Sequence, residues 1–533
     1  MTSTQRLIVL VFILLVSPLS FSEQRPNILL IVADDLGYAD LGVYGSDINT
    51  PNIDALADEG LLFTQFHTAA TCAPSRAMLL SGNNNHVAGM ASQFSNPDMT
   101  ERVAGYEKHL SDRVGILPRI LNASGYRTYM VGKWHLGYGE ELSPAVYGFD
   151  RSFNLSGGAG NHYNEVGMRP ARSSYYEDGK RTTFPAGGYS TAVYTDKLIS
   201  YLEADKDSSK PFFIFAAYTS PHWPLQVPED EIDRYQGQYD MGYDELREMR
   251  VKSLKAAEII PISSQTPPRN TGVKPWSELS RDEKRIESKK MELYAAMVDN
   301  LDGHVGRLIS YLKENELYEN TLIVFMSDNG AASEQFFESG RFSEYLKANY
   351  DNSYEKMGLA ASWVSYGPAW AEAGSAPFRR HKNFATEGGT TAPMIISGAG
   401  VKRRHEINSA FVSISDLAPT FYEIAGATYP DDMAEMTGKS IVPILTRQSG
   451  TVRSETDITV FFQSNHAGLW QGNWKLVNVQ IPFDEKNFEL FDLSKDPGET
   501  IDLSASLPVK RSELIALWRS ERKRLGILLP EDL

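Results

Sequence analysis

A single cysteine, Cys72, stands among 533 residues. Intramolecular disulfides are therefore excluded, and the lone thiol needs another explanation. Positive charge is also in short supply: 52 Lys and Arg face 68 Asp and Glu, for a formal net charge of −16. Such a chain repels nucleic acid, acidic membrane surfaces and anionic substrates at long range, which argues against a nucleic-acid partner. Any anion site must be a local island of cations. Internal repeats and long low-complexity segments are missing as well. The apolar run near the start, Leu7 to Val16, falls short of the ~20 residues that span a bilayer, so no stable membrane anchor is expected.

What is present reads as a globular, exported protein. The apolar fraction of 42% is ordinary for a packed domain, and the length implies about two packed units. Arg6, the Leu7 to Val16 run and the small-residue stretch Ser20-Phe21-Ser22 have the layout of a signal peptide over residues 1–22. No cysteine lies near that cleavage site, which removes a lipid anchor. The expected location is periplasmic or secreted, in a bacterial host.

Several short apolar runs end in polar residues of unusual type. Asn27 to Ala33 runs into Asp34-Asp35, and Thr321 to Ser327 into Asp328-Asn329. Arg127 to Gly132 runs into Lys133-Trp134-His135, and Pro211 to Tyr218 is followed by His222. Near-continuous apolar runs are strands buried on both faces, which predicts an α/β fold with a mainly parallel sheet sandwiched by helices. Ligands bind beyond the carboxyl ends of such strands, where all these polar groups sit. Leu293, Met297, Leu301, Val305, Leu308 and Leu312 recur at helical spacing before the Asp328 strand. The long connection from Asn329 to Lys382, with Tyr354, Trp363, Tyr366 and Trp370, is expected to supply lids or pocket walls. After about residue 450 the pattern changes to short strands, turns and a basic helix from about Pro508 to Leu525. The expected division is a catalytic domain over 23–450 and a smaller α/β domain with an antiparallel sheet over 451–533.

Asp34, Asp35, Asp328 and Asn329 are oxygen donors at two strand ends, the kind a hard divalent cation takes, and Ca²⁺ tolerates irregular geometry better than Mg²⁺. Each pair alone also suits a turn or a cap. The sharpest feature is Cys72-Ala73-Pro74-Ser75-Arg76, followed by Leu79 and Gly82. Pro74 suits the first turn of a helix, so Cys72 belongs at or just before a helix start, where N–H groups and the positive dipole end attract anions. Arg76, one turn along, faces the same spot.

This C-x-P-S-R run resembles the first signature of the type I sulfatases, whose cysteine is oxidised to formylglycine. Gly125 to His135 (GYRTYMVGKWH) resembles the second signature, and Leu490-Phe491-Asp492-Leu493 with Asp496-Pro497-Gly498-Glu499 resembles the C-terminal segment. His86 to Met90, Gly105 to Leu110, and Ala376 to Arg379 are similar to bacterial arylsulfatases in particular. The resemblance implies an alkaline-phosphatase-like fold. It implies one Ca²⁺ held by Asp34, Asp35, Asp328, Asn329 and the modified residue 72, with Arg76, Lys133, His135, His222 and Lys382 around the sulfate. It also implies a formylglycine-generating or sulfatase-maturating enzyme as partner.

The chemistry of the residues agrees with that expectation. Arg76, Lys133 and Lys382 are the cationic island that the overall charge denies. A hydrated aldehyde at position 72 offers one hydroxyl to attack sulfur and a second to expel sulfate afterwards. Asp328 is the expected acceptor of the attacking hydroxyl's proton, His222 with Lys382 the donor to the leaving oxygen, and His135 a helper in the final expulsion. The expected function is hydrolysis of sulfate monoesters, aryl sulfates or sulfated carbohydrates. The alternatives are a phosphonate monoester or phosphodiester hydrolase, or a non-catalytic binder of sulfated glycans if Cys72 stays unmodified.

Overall fold

The apolar runs fold into strands of one large sheet. In chain order these are β1 Asn27–Ala33, β2 Gly60–His67, β3 Arg127–Lys133, β4 Arg151–Leu155, β5 Tyr175–Glu177, β6 Lys180–Thr182, β7 Phe212–Ala217, β8 Thr321–Ser327, β9 Thr391–Gly398, β10 Glu406–Asn408 and β11 Val412–Ser413. The structure is a computed structural model that describes residues 25–93, 103–171, 173–270, 272–529 and 532. The expected signal segment, 1–22, lies outside them. Strand order is β10-β2-β9-β8-β1-β7-β3-β4-β5-β6, with β11 on β2. The central pairs β8/β1, β1/β7, β7/β3 and β3/β4 are parallel.

Successive residues of a strand point to opposite faces, so a strand covered on both sides must be apolar throughout. In β1, Leu29 and Ile31 join one core with Leu293, Met297 and Leu301 of the helix Arg281–Glu314. Ile28, Leu30 and Val32 join the other, with Leu79, Leu117 and Phe421 from helices on the opposite face. This is the mainly parallel, helix-sandwiched architecture expected from the runs. The helix Arg281–Glu314 starts at a capping box in which Ser280 and Glu283 satisfy each other's backbone N–H groups.

Two strands depart from the parallel pattern: β9 lies antiparallel between β8 and β2, and β5 lies antiparallel between β4 and β6. A second, wholly antiparallel sheet holds β12 Ile458–Gln463, β13 His466–Gln471, β14 Trp474–Asn478 and β15 Glu489–Asp492. Leu514 and Trp518 of the helix Pro508–Leu525 cover it, packing with Phe462, Leu469 and Leu476. Among the described residues no helix is long and apolar enough to cross a membrane.

Candidate active site

The four runs that end in polar residues are neighbours in space, in the order β8-β1-β7-β3. Parallel strands lie about 4.8 Å apart, so the residues just past their carboxyl ends meet. Asp35 and His135 turn sharply out of their strands at φ of 66° and 58°. The left-handed region is one that Asp and His enter more readily than most residues, and at a site edge it re-aims the side chain. Gly158 leaves room for the His135 ring, since a Cβ there would come within 2.4 Å of its Cε1.

Cys72 is the first residue of the helix Cys72–Ser81, which is buried along its whole length. Thr71 does not cap this helix; its hydroxyl donates instead to Gln463 Oε1 in the second sheet, at 2.6 Å. The Cys72 thiol donates toward Asp35 Oδ1 at 3.5 Å.

Around the thiol, cations and carboxylates alternate. Lys133 Nζ lies 2.7 Å from both oxygens of Asp34, and Lys382 Nζ lies 2.7 Å from Asp35 Oδ2. Arg76 donates through Nε to Asp328 Oδ2 at 2.9 Å and through one terminal nitrogen to the Lys133 carbonyl at 2.6 Å. Asn329 Nδ2 donates to Asp35 Oδ1 at 2.6 Å. His222 holds Nδ1 against its neighbour's carbonyl, Trp223 O, at 2.6 Å and turns Nε2 to Asp35 Oδ2 at 3.2 Å. All of these side chains are buried.

Burial sets the electrostatics. It raises Asp34 to about 7, with Asp328 and Asp35 adding to the effect and Lys133 opposing it. Burial acts on Asp35 in the same sense, but Lys382 and His222 outweigh it and hold that carboxyl well below the usual range. Burial pushes the Cys72 thiol up, and the neighbouring Asp328 and Asp35 push it further. It pushes His222 and His135 well down; Asp35 opposes this at His222, while the Lys133 and Arg76 charges reinforce it at His135.

Nine of the ten expected residues, Asp34, Asp35, Cys72, Arg76, Lys133, His222, Asp328, Asn329 and Lys382, thus form one contact network. His135 borders the same cavity, and its Nδ1 is buried without a hydrogen-bond partner among the described residues. Asp328, the expected proton acceptor, is already engaged through both oxygens. Oδ2 is held by Arg76 and Oδ1 accepts from the Asp35 N–H, so the carboxylate clamps the arginine as much as it offers itself to a proton.

The long connection after Asn329 walls the cavity as expected, but not with the four aromatic residues named for it. Trp370 is buried in the core beside Tyr239, Tyr243 and Trp276, and Tyr366 stacks on Tyr294. Trp363 backs Trp223 and Tyr350, and Tyr354 lies under Arg285. None of these four lines the cavity above Cys72; from this connection Glu334, Phe336, Arg341 and Phe342 do. The cavity holds about 590 Å³. Two further residues escaped the sequence pattern. Glu334 accepts from Asn383 Nδ2 at 2.8 Å and from Trp223 Nε1 at 3.4 Å, beside Lys382. His162 pins the His222 carbonyl through Nε2 at 3.2 Å. Neither follows an apolar run, so no local signal marks them.

The donor set, two carboxylates with a thiol and an imidazole, can hold a metal ion. Ligand atoms of Asp34, Asp35, Cys72 and His222 lie within 4.8 Å of one another, and Asn329 Oδ1 is buried with no hydrogen-bond partner among the described residues. That cluster shares Asp34, Asp35 and Cys72 with the ligands implied by the resemblance. It adds His222 and leaves Asp328 on Arg76.

Comparison with known proteins agrees with this geometry. The chain matches the Sulfatase family over residues 26–427, and the family described as N-sulphoglucosamine sulphohydrolase, C-terminal, over residues 380–514. It is 37% identical over 531 residues to an uncharacterized sulfatase of Schizosaccharomyces pombe, covering 96% of each chain. It is 38% identical over 428 residues to an arylsulfatase of Klebsiella aerogenes, covering 79% of this chain and 91% of that one. Among solved structures, that of Ps i-CgsB in complex with k-i-k-neocarrahexaose superposes with a TM-score of 0.67 at 25% identity, covering 94% of this chain and 93% of the other.

Proposed function

We propose that this chain, which belongs to the sulfatase family and is a sulfuric ester hydrolase, cleaves sulfate monoesters through a formylglycine made from Cys72 beside one bound Ca²⁺. The observation that carries this reading is the position of the Cys72 side chain. It sits at the floor of a cavity, at a helix start, 3.5 Å from Asp35 and within one network of Arg76, Lys133 and Lys382. A hydrated aldehyde supplies a hydroxyl nucleophile, and a hard cation supplies charge for the sulfate oxygens. Asp34, Asp35, Asp328 and Asn329 would hold that cation.

The chain's own residues do the rest. Arg76 is fixed by Asp328 and the Lys133 carbonyl, so its positive charge stands behind the Cys72 side chain without reorganising. Lys133 and Lys382 bring two more positive charges into a region screened from water. The Trp223 carbonyl takes the His222 Nδ1–H and turns Nε2 toward the site, where the ring gives a proton to the leaving oxygen as the imidazolium, the form that Asp35 beside Nε2 favours against burial. His135, on the cavity wall, is placed to assist the release of sulfate.

The substrate is a ring-bearing sulfate monoester. The Klebsiella aerogenes relative is named for aryl sulfates, and the structure of Ps i-CgsB holds a neocarrahexaose; both classes present an apolar ring face to the aromatic wall at Trp223 and Phe336. The protein works outside the cytoplasm, periplasmic or secreted, and depends on a formylglycine-generating or sulfatase-maturating enzyme. Mass analysis of the peptide carrying position 72, from enzyme shown to be active, should find the aldehyde or its hydrate. Active protein with only the thiol would remove the nucleophile. Aryl sulfate should be turned over faster than the matching aryl phosphonate ester.

A further inference from the structure

Beyond the residues around Cys72, the mouth of the cavity carries a second group of cations. Lys108, Arg169 and Arg341 line it, and they come from three separate loops. Arg341 precedes the helix Ser343–Asn349, Arg169 follows β4, and Lys108 lies between the helices Cys72–Ser81 and Leu117–Ala123. No carboxylate pairs with any of them among the described residues, in a chain with 68 acidic side chains against 52 basic ones. The two arginines share an aromatic support instead: their guanidinium groups lie 5.6 and 4.5 Å from the Phe342 ring centre. Stacking on a ring orders a guanidinium while leaving its charge and its N–H donors available. Partial burial lowers Lys108 from the usual lysine range, a cost that an anion beside it offsets.

The same mouth offers an apolar surface. Trp223 meets Phe336 edge to face at 5.3 Å, and Phe336 meets Phe342 in the same way at 5.5 Å. A ring lying on this wall, with its scissile sulfate toward Cys72, extends toward the arginines.

From this juxtaposition we infer that Lys108, Arg169 and Arg341 form a second anion subsite, so that the preferred substrate is a sulfated saccharide bearing another anionic group, sulfate or carboxylate, beyond the ester that is cleaved. The inference rests on the sulfate-ester reading of the site and adds the substrate's second charge to it. Like charges gathered without partners repel one another, and an oligosaccharide anion across them is the arrangement that relieves the repulsion.

The test uses fully modified enzyme and one disaccharide in three forms: monosulfated and otherwise neutral, carrying a second sulfate, and carrying a uronic carboxylate. Wild type should favour a doubly charged form by about tenfold or more in kcat/KM at low salt, the range expected of charge-assisted hydrogen bonds. Raising the ionic strength should shrink the preference, because the groups are at the surface. In an Arg169→Gln, Arg341→Gln double variant the preference should collapse through KM, whereas Lys523→Gln on the C-terminal helix should keep it. The two doubly charged forms identify which anion the subsite takes. Sulfate release without any preference in wild type, or a preference that survives the double variant, overturns the subsite while leaving the sulfatase reading intact. If no ester releases sulfate, the sulfatase reading itself fails and the subsite falls with it.

Discussion

Lys475, in the middle of the second sheet, places Nζ 2.7 Å from Oε1 of Glu387, five residues beyond Lys382 in the main unit. The same ammonium reaches Glu499 Oε1 at 2.8 Å, and Glu499 in turn binds Arg379, three residues before Lys382. The loop that delivers Lys382 to Asp35 is therefore clamped on both flanks by the C-terminal segment. The smaller sheet takes part in the site without touching the cavity's floor.

Lys475→Met leaves Glu387 and Glu499 buried without their shared cation. Breaking a buried pair by removing one partner costs about 3–5 kcal/mol, and since Arg379 still faces Glu499 and His67 still faces Glu387, the loss belongs at the lower end of that range. Chemical denaturation should show a loss of that size, and the kcat of the folded variant should fall as Lys382 loses its anchorage. A variant as stable and as active as wild type would separate the clamp from the site.

Glu387 also gives the protein an acid limit. Burial alone would raise its pKa, but Lys475 and His67 outweigh burial and hold it well below the usual carboxylate range. A carboxyl depressed in the folded state stabilises the fold above its unfolded pKa and loses that contribution as pH falls below it. Stability measured by thermal melts should decline below about pH 4.3, and Glu387→Gln, less stable at neutral pH, should show a shallower decline. Parallel acid limbs in the two proteins would remove Glu387 from the account.

Asn329→Ala removes a neutral donor whose Oδ1 is buried with no hydrogen-bond partner among the described residues, and so disturbs the charge balance less than any aspartate change. Bound calcium, read by elemental analysis after exhaustive dialysis, should weaken along with activity, by roughly 10–100-fold, and excess Ca²⁺ should restore part of it. Unchanged metal content would place the ion elsewhere. Strong chelation of wild type should abolish turnover.

His222→Ala should slow alkyl and sugar sulfates by about 10²–10⁴-fold and an activated nitrophenyl sulfate far less, since a general acid matters most for a basic leaving oxygen. Rates at saturating and limiting substrate keep a binding loss from passing as lost acid catalysis. Equal losses across leaving groups would reduce His222 to a binding role.

Much of this protein is legible without coordinates, and the reason is locality. A strand buried on both faces must be apolar at every position, so β1, β3, β7 and β8 announce themselves, and the polar residue that ends each run stands out against it. Cys72 through Arg76 lie on one helical turn, so their relation needs no tertiary information. The antiparallel β9 was not legible in this way, because strand direction depends on the path of the connections. Trp363, Tyr366 and Trp370 illustrate the same limit: an aromatic cluster in a long connection has one composition whether it walls a cavity or fills a core.

The sequence by itself determined the α/β sheet, the single cysteine at a helix start and the oxygen and nitrogen donors at the strand ends, since each is written in contiguous residues. The tertiary structure alone decided that Lys133 meets Asp34 and Lys382 meets Asp35, that the C-terminal sheet clamps the Lys382 loop, and that Lys108, Arg169 and Arg341 gather at one mouth. Those contacts join residues 61 to 347 positions apart, and which loops meet over a sheet edge is set by strand order and chain path, which no local pattern of side chains encodes.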